Sequence, residues 1–203
     1  MHHPLIPNSL QKLLEQIQKF PGVGSKTALR YCLSLLKNKE RQMKDLERSL
    51  LHCREQISTC PECHFWKQGE KCSLCESPSR QSKVLCLVRD AADVLSIESG
   101  RPKHWTYHIL GGLLSPIMGI GPQQLNISSL LKRLAKDQYN EIILALDANV
   151  EGEATSLFIK EIIQEHFPKI TLSKASQGIP AGASVEYLDI STLESALEQR
   201  TPF

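Results

Sequence analysis

The sequence predicts an α+β protein made of several modules, and three observations support this prediction. Apolar residues recur at helical spacing on both sides of a glycine turn at Phe20–Gly24, which predicts an N-terminal helix-hairpin-helix module. Four cysteines then lie close together in a short polar segment, which predicts a small cysteine-rich module. From Val84 onward, short apolar runs alternate with helical stretches, which is typical of an α/β domain with a mainly parallel sheet, here followed by a short C-terminal strand-helix segment.

The length and composition are those of an ordinary folded protein. The chain has 203 residues, of which 41% are hydrophobic and 23% are charged. The longest apolar run, near Ile142–Leu146, is far shorter than the ~18 residues that cross a bilayer. The start of the chain lacks the apolar core of a signal peptide. These features predict a cytoplasmic protein.

The charge is divided unequally along the chain. Residues 1–58 contain ten Lys and Arg against five Asp and Glu, whereas residues 59–203 contain fourteen against seventeen. This division is typical of a basic module that binds a polyanion, followed by a more acidic part that binds other proteins. Ordinary solvated surface charge would explain the same division without any partner. Charge alone leaves both interpretations open.

The N-terminal module contains two short helices that flank the glycine turn. Their apolar positions fall at intervals of three and four residues: Leu10, Leu13, Leu14 and Ile17 before the turn, and Ala28, Leu29, Cys32, Leu33 and Leu36 after it. A third helical stretch, from about Glu40 to Ile57, leads into the cysteine-rich segment. That segment is too polar to form an apolar core, so another interaction has to hold it.

The glycine turn and the helix after it are candidate DNA contacts. Gly22 and Gly24 let the backbone approach a phosphate, and free N–H groups at the start of the second helix favour an anion there. Lys26 and Arg30 lie one turn apart on that helix, where both could contact the phosphate backbone without reading base sequence. A P-loop is excluded because Ser25 stands at its second glycine position and a helix precedes the turn. A plain helical hairpin remains the alternative.

The four clustered cysteines have the spacing of a metal site. Cys60 and Cys63 form one C-x2-C pair, and Cys72 and Cys75 form a second pair eight residues later. Two such pairs can hold one Zn²⁺ in a tetrahedral site, and because all four positions are then filled, the metal is structural. An iron–sulfur cluster and a redox dithiol pair are the alternatives. His64 is a competing ligand that its place beside Cys63 disfavours.

The other three cysteines have no predicted function. Seven cysteines in a chain without a secretion signal argue against a disulfide framework. Cys32 and Cys86 lie on apolar faces and Cys53 ends a helical run, so all three are interpreted as buried or half-buried thiols.

The α/β part of the chain is predicted from its alternating pattern. The predicted strands are Val84–Val88, His108–Leu110, Ile142–Leu146 and Ile170–Leu172. Helices are predicted between them near residues 91–99, 126–136 and 153–166. A turn at Gly178–Gly182 then precedes a predicted strand at Val185–Leu188 and a short helix near Thr192–Gln199.

These motifs, in this order, resemble the RecR family of bacterial recombination mediators, nearly from end to end. The most specific pieces of the resemblance are Cys60-x2-Cys63-x8-Cys72-x2-Cys75, Gly111–Pro116 with Gly119–Pro122, Val150–Thr155 and Gly178–Gly182. The resemblance implies a helix-hairpin-helix module at 1–57, a four-cysteine zinc finger at 58–79, a Toprim domain at 80–175 and a C-terminal segment at 176–203 that contributes an oligomer contact.

The resemblance also implies a function and partners. Family members form ring-like oligomers that encircle or clamp DNA, work with RecO and often RecF, and help load RecA onto single strands at gaps. No catalysis is attributed to them. Lys26 and Arg30 match the basic hairpin positions of the family and therefore inherit the DNA-contact role.

The Toprim comparison predicts that this domain is not catalytic. Catalytic Toprim proteins bind Mg²⁺ with a glutamate after the first strand and an Asp-x-Asp after a later one, whereas this chain has Arg89 at the first place and Asp147-Ala148-Asn149 at the second. A guanidinium disfavours a hard divalent cation. Asp90 is adjacent to Arg89, but one step along a strand is expected to point it to the opposite face.

The chain also departs from its own family at three places where the resemblance implies acidic residues, namely Arg89, Met118 and Ser184. Because that acidic region is associated with partner contact in the family, the departures bear on RecO docking more than on DNA or zinc binding. Two other function classes stay open from the residues alone. One is a Mg²⁺-dependent Toprim nuclease or primase-like enzyme, and the other is a zinc-stabilised adaptor without DNA contact.

Overall fold

The computed structural model describes residues 5–80, 83–100, 104–175, 178–198 and 200. The chain divides into two compact units, Met1–Ile57 and Ser58–Phe203. Within the described stretches, none of the helices combines the length and the apolar character that a membrane span needs. The α+β fold class predicted from the sequence is confirmed, with a helical N-terminal unit and a parallel sheet in the second unit.

The first unit is helical. Its helices are α1 (Asn8–Ile17), α2 (Ser25–Lys37) and α3 (Lys44–Gln56), and a single π-helical turn at Lys39–Met43 precedes α3. Leu14 of α1 and the small residues Ala28 and Cys32 of α2 are buried together. Because Ala28 and Cys32 lie one turn apart, their small side chains let the two helices pack closely at this point.

Helix α3 differs from the other two because none of its residues is buried within the described structure. Its leucines Leu46, Leu50 and Leu51 are all exposed. Cys53 is exposed as well, so the expectation of a buried or half-buried thiol there was wrong. The helical periodicity predicted the helix, but a periodic pattern does not show whether an apolar face has a neighbour to pack against.

A small two-stranded sheet, β1 (Ile57–Thr59) and β2 (Trp66–Gln68), spans the first cysteine pair. The main sheet of the second unit contains β3 (Val84–Val88), β4 (Thr106–Ile109), β5 (Glu141–Ala145) and β6 (Thr171–Lys174). The order is β4-β3-β5-β6 and every pair is parallel. The connecting helices are α4 (Ala91–Glu98), α5 (Ile127–Lys136) and α6 (Val150–His166).

The two faces of the main sheet carry separate apolar cores because successive residues of β3 point to opposite sides. Leu85 and Leu87 pack with residues of α5 and α6 in one core. Cys86 and Val88 pack in the other core with Val94 of α4 and with the cysteine pairs. The cysteine-rich segment therefore shares an apolar core with the α/β domain.

The C-terminal segment contains a helix, α7 (Ile190–Glu198), as predicted. The strand predicted at Val185–Leu188 was wrong, because Val185–Tyr187 forms a single 3-10 turn. Val185 and Tyr187 are both exposed. Alternating apolar and polar residues resemble a strand in sequence, but a strand also needs a neighbour with which its backbone can pair.

Candidate nucleic-acid interface and candidate metal centre

The glycine turn in the first unit reverses the chain direction between α1 and α2, as a helical hairpin requires. Gly22 has a φ of 75°, a left-handed conformation that favours glycine. The Val23 N–H donates to the Phe20 carbonyl at 3.1 Å and closes the turn. Gly24 then precedes α2 in an extended conformation, with φ −79° and ψ 171°. Among the described residues no side chain caps the first turn of α2, so its N–H groups are left to solvent or to a ligand.

The two predicted cations of this interface are available to a ligand. Lys26 and Arg30 are both exposed on α2, four residues apart and hence on one face of the helix. Within the described stretches neither of them forms an ion pair. The exposed glycine turn, the uncapped helix start and the two free cations are compatible with a phosphate backbone at this point.

The four predicted metal ligands lie together in the second unit. Cys60, Cys63 and Cys72 are buried, and Cys75 is partly buried. Their four Sγ atoms all lie within 4.8 Å of one another. The Cys60–Cys75 sulfur separation is 3.9 Å and the Cys63–Cys72 separation is 3.6 Å. Four ligands bound to one metal in a tetrahedron with ~2.3 Å zinc–sulfur bonds would have their sulfurs about 3.8 Å apart.

Without a cation, burial and crowding disfavour ionisation of Cys72 and Cys75. A hydrogen bond with Cys63 and burial together raise the pKa of Cys75, and burial raises the pKa of Cys72. Thiolates this close to one another repel, so all four sulfurs can be ionised together only when a cation compensates their charge. The cluster therefore fits a structural metal ion.

The first cysteine pair is held against the α/β domain by polar contacts. The Ile109 N–H of β4 donates to the Cys63 carbonyl at 3.0 Å. His64, which follows Cys63 with a φ of 62°, places its Nε2 2.7 Å from the Ser129 Oγ of α5. Since the ring is engaged with Ser129 and the four-sulfur set is complete, His64 does not belong to the ligand cluster.

Two buried residues near the cysteine cluster were missed in the sequence. His108 of β4 is fully buried, and its Nε2 lies 3.0 Å from the Asn126 carbonyl. Arg133 of α5 is only 5% exposed and donates from Nη1 to the Tyr107 carbonyl at 2.7 Å. The charge of Arg133 acts against the raised pKa of Cys75. The only signal for Arg133 was its place between apolar residues of an amphipathic helix.

Three carboxylates surround Arg89 where β3 ends. The guanidinium donates from Nη1 to the Asp147 Oδ2 and from Nε to the Asp90 Oδ2 at 3.1 Å, and its Nη2 lies 3.7 Å from the Asp93 Oδ1. The expectation that Asp90 points away from Arg89 was wrong. The chain leaves the strand at Val88, so Asp90 is the N-cap of α4 and strand alternation no longer applies.

Two of the other motif segments, Gly111–Pro116 and Val150–Thr155, meet at the same end of the sheet. The Leu114 N–H donates to the Thr155 Oγ1 at 2.9 Å, which connects Gly111–Pro116 to the start of α6. Gly152 is required here, because a Cβ on it would lie 1.9 Å from the Asp147 carbonyl oxygen. Met118 and Ser184, two of the three positions where acidic residues were expected, are exposed.

Comparison with known proteins identifies matches to three parts of the chain. A family model described as "RecR, helix-hairpin-helix" matches residues 10–54, "Toprim domain" matches 83–174 and "RecR, C-terminal" matches 178–201. The chain is 40% identical to "Recombination protein RecR" of Gloeothece citriformis, with 94% of each chain covered. It is 38% identical to the protein of that name from Thermosynechococcus vestitus, covering 94% of this chain and 93% of the relative.

Proposed function

The chain belongs to the RecR family, and from this premise we propose that it is a recombination and DNA-repair protein that binds DNA through the hairpin between α1 and α2. The observation that most supports the proposal is the pair of exposed cations Lys26 and Arg30 on the helix that starts directly after the glycine turn, since neither forms an ion pair with any described residue. Gly22 and Gly24 would let the phosphate backbone approach, and the N–H groups at the start of α2 would bind a phosphate oxygen.

The role proposed within repair is that of a mediator without catalytic activity. It acts in the cytoplasm with RecO and possibly RecF, and helps to load RecA onto single-stranded DNA at gaps. The protein assembles as a ring-like homo-oligomer, with the C-terminal segment as one contact. The departures at Arg89, Met118 and Ser184 bear on RecO docking, which would need compensating changes on the partner's surface.

We further propose that the four cysteines hold one structural Zn²⁺ ion. The four sulfur ligands would satisfy a tetrahedral soft-cation site and leave no position for an activated water. Bound there, the ion would neutralise the clustered thiolates and hold the two cysteine pairs together. Metal analysis of freshly purified protein tests the identity of the metal, and iron instead of zinc would contradict it.

The DNA proposal is tested by measuring affinity for labelled duplex and gapped DNA across a salt series. We expect the double variant Lys26→Ala/Arg30→Ala to lose affinity at least tenfold and to lower the log–log salt slope by about 1.8 on duplex DNA, because each phosphate contact contributes about 0.9. Both side chains are exposed, so the variant should keep the thermal midpoint of the parent.

A matched control removes the same charge at the same spacing from α3. Lys44 and Arg48 are also four residues apart and exposed, but they pair with Glu40 and Asp45. If Lys44→Ala/Arg48→Ala weakens binding as much as the hairpin variant does, net charge rather than the hairpin carries the affinity. No binding by the parent would favour an adaptor without DNA contact, and Mg²⁺-dependent cleavage abolished by Asp147→Ala would favour a Toprim enzyme.

A further inference from the structure

The carboxyl ends of β3 and β5 mark the position at which an open α/β sheet of this topology binds ligands. The chain leaves β3 towards β4 on one side and leaves β5 towards β6 on the other side. Adjacent strands whose connections run in opposite directions leave a crevice beyond their carboxyl ends, and ligands of open α/β sheets bind there. In this chain Arg89 follows β3 and Asp147 follows β5, so both side chains stand at this crevice.

The carboxylates around Arg89 are oriented independently of it. Asp90 and Asp93 form a capping box at the start of α4. The Asp90 Oδ1 accepts from the Ala92 N–H at 2.8 Å, and the Asp93 Oδ2 accepts from the Asp90 N–H at 2.9 Å. In each residue one oxygen is therefore fixed by the helix cap, while the other faces Arg89. The Asp147 loop is fixed separately by its close approach to Gly152.

The charges at the crevice leave a large negative excess if the arginine is removed. Three carboxylates converge on a single guanidinium, and no other cation pairs with Asp90, Asp93 or Asp147 within the described residues. Converging carboxylate oxygens with preset orientations are what a hard divalent cation such as Mg²⁺ prefers. A planar guanidinium that donates to several of them excludes such an ion from the same space.

We propose that Arg89 is a resident cation that takes the place of a divalent metal at this crevice, so that the parent protein binds no Mg²⁺ there and the loss of the guanidinium opens a Mg²⁺ site. The ligands of that latent site are the free oxygens of Asp90, Asp93 and Asp147. The inference concerns cation occupancy only and is independent of DNA binding by the hairpin.

The experiment measures Mn²⁺ binding by electron paramagnetic resonance on zinc-loaded protein, together with the thermal midpoint with and without millimolar Mg²⁺. The parent should retain no Mn²⁺ and show no Mg²⁺-dependent shift. Arg89→Gln should retain one Mn²⁺ per chain, have a lower midpoint in chelator, and regain several degrees when Mg²⁺ is added. Arg89→Lys, which keeps a cation, should behave like the parent.

Two further variants separate this site from general charge effects. Adding Asp147→Asn to Arg89→Gln should abolish Mn²⁺ retention. Arg48→Gln removes an arginine that is also ion-paired, with Asp45 of α3, and should gain no metal. Saturable Mn²⁺ binding by the parent that disappears in Asp147→Asn overturns the proposal. The proposal is also overturned if Arg89→Gln folds without binding Mn²⁺, or if it stays unfolded both with and without Mg²⁺.

Discussion

Two regions of the molecule differ in whether the residues proposed to bind a ligand also hold the fold together. These regions are the hairpin between α1 and α2 and the four-cysteine cluster. In the hairpin, the residues proposed to contact DNA are exposed, while a separate small core of Leu14, Ala28 and Cys32 holds the helices together. In the cluster, the residues proposed to bind metal are themselves part of an apolar core that they share with β3, α4 and β4. The hairpin can therefore lose its function and stay folded, whereas the cluster cannot.

Removal of one cysteine ligand should give the largest loss of stability. Cys72 is buried and its sulfur lies 3.6 Å from that of Cys63. We expect Cys72→Ser to lower the free energy of unfolding by about 4 kcal/mol or more. The variant would lose the metal, and the free energy of metal binding is part of the free energy of folding. Chemical denaturation followed by circular dichroism measures the change.

Cys53→Ser is the control for this substitution because Cys53 is an exposed thiol outside the cluster. It should change the stability by less than about 0.5 kcal/mol. Since the cluster shares its core with Tyr107 and Ile109, Cys72→Ser should also speed amide hydrogen exchange in β4. Unchanged exchange in β4 would show that the cysteine-rich segment unfolds by itself, and the comparison with the hairpin would then fail.

Acidification should destabilise the second unit through His108. Burial lowers the pKa of His108 to about 4, and the charges of Arg133 and His64 add to this effect, while the hydrogen bond to the Asn126 carbonyl opposes it. Between the ordinary pKa of 6.5 and about 4 the unfolded chain binds the proton that the folded chain excludes. The contribution of neutral His108 to the free energy of unfolding is therefore fully present above pH 6.5. It decreases by about 3 kcal/mol as the pH falls towards 4.

The part of the pH dependence of the unfolding free energy that comes from His108 is isolated by comparing His108→Gln with His166→Gln. His166 is exposed at the end of α6, so its replacement is a surface control that removes a histidine without opening the core. His108→Gln removes the buried titrating group and should flatten the decrease between pH 6.5 and pH 4. Because the cysteine ligands are the same in both variants, acid release of the metal contributes equally to both. Equal slopes would contradict the assignment to His108.

The sequence predicted those features that depend on local spacing. The clustering of Cys60, Cys63, Cys72 and Cys75 could be predicted because each pair is separated by two residues, and the amphipathic helices could be predicted from their apolar periodicity. The glycine turn and the helix after it were predicted in the same way, while DNA contact by Lys26 and Arg30 stays a prediction.

The features that the sequence did not predict depend on contacts between distant segments. The ion pair of Arg89 with Asp147 joins residues after two different strands, and the contact of His64 with Ser129 joins the first cysteine pair to α5. The strand expected at Val185–Leu188 failed for the same reason, since alternation is local but strand pairing is not. Burial of Arg133 follows from tertiary packing that no local pattern records.

The smallest expected effects concern the two hairpin glycines, which differ in backbone conformation. Gly22 has a φ of 75°, whereas Gly24 is extended with a φ of −79°. A Cβ would have open space at both positions, so backbone strain alone separates them. Gly22→Ser should cost about 1–2 kcal/mol because a side chain disfavours the left-handed region. Gly24→Ser should be neutral or stabilise by a few tenths of a kcal/mol, since serine caps helices well.

The same pair of variants extends the comparison to function. A serine at position 24 would accept hydrogen bonds from the N–H groups that start α2, which are the groups proposed to bind a phosphate. Gly24→Ser should therefore keep or gain thermal stability while its affinity for DNA decreases, and titration of labelled duplex measures the decrease. If Gly24→Ser binds DNA as the parent does, the start of α2 contributes nothing to binding, and Lys26 and Arg30 would have to supply the contact alone.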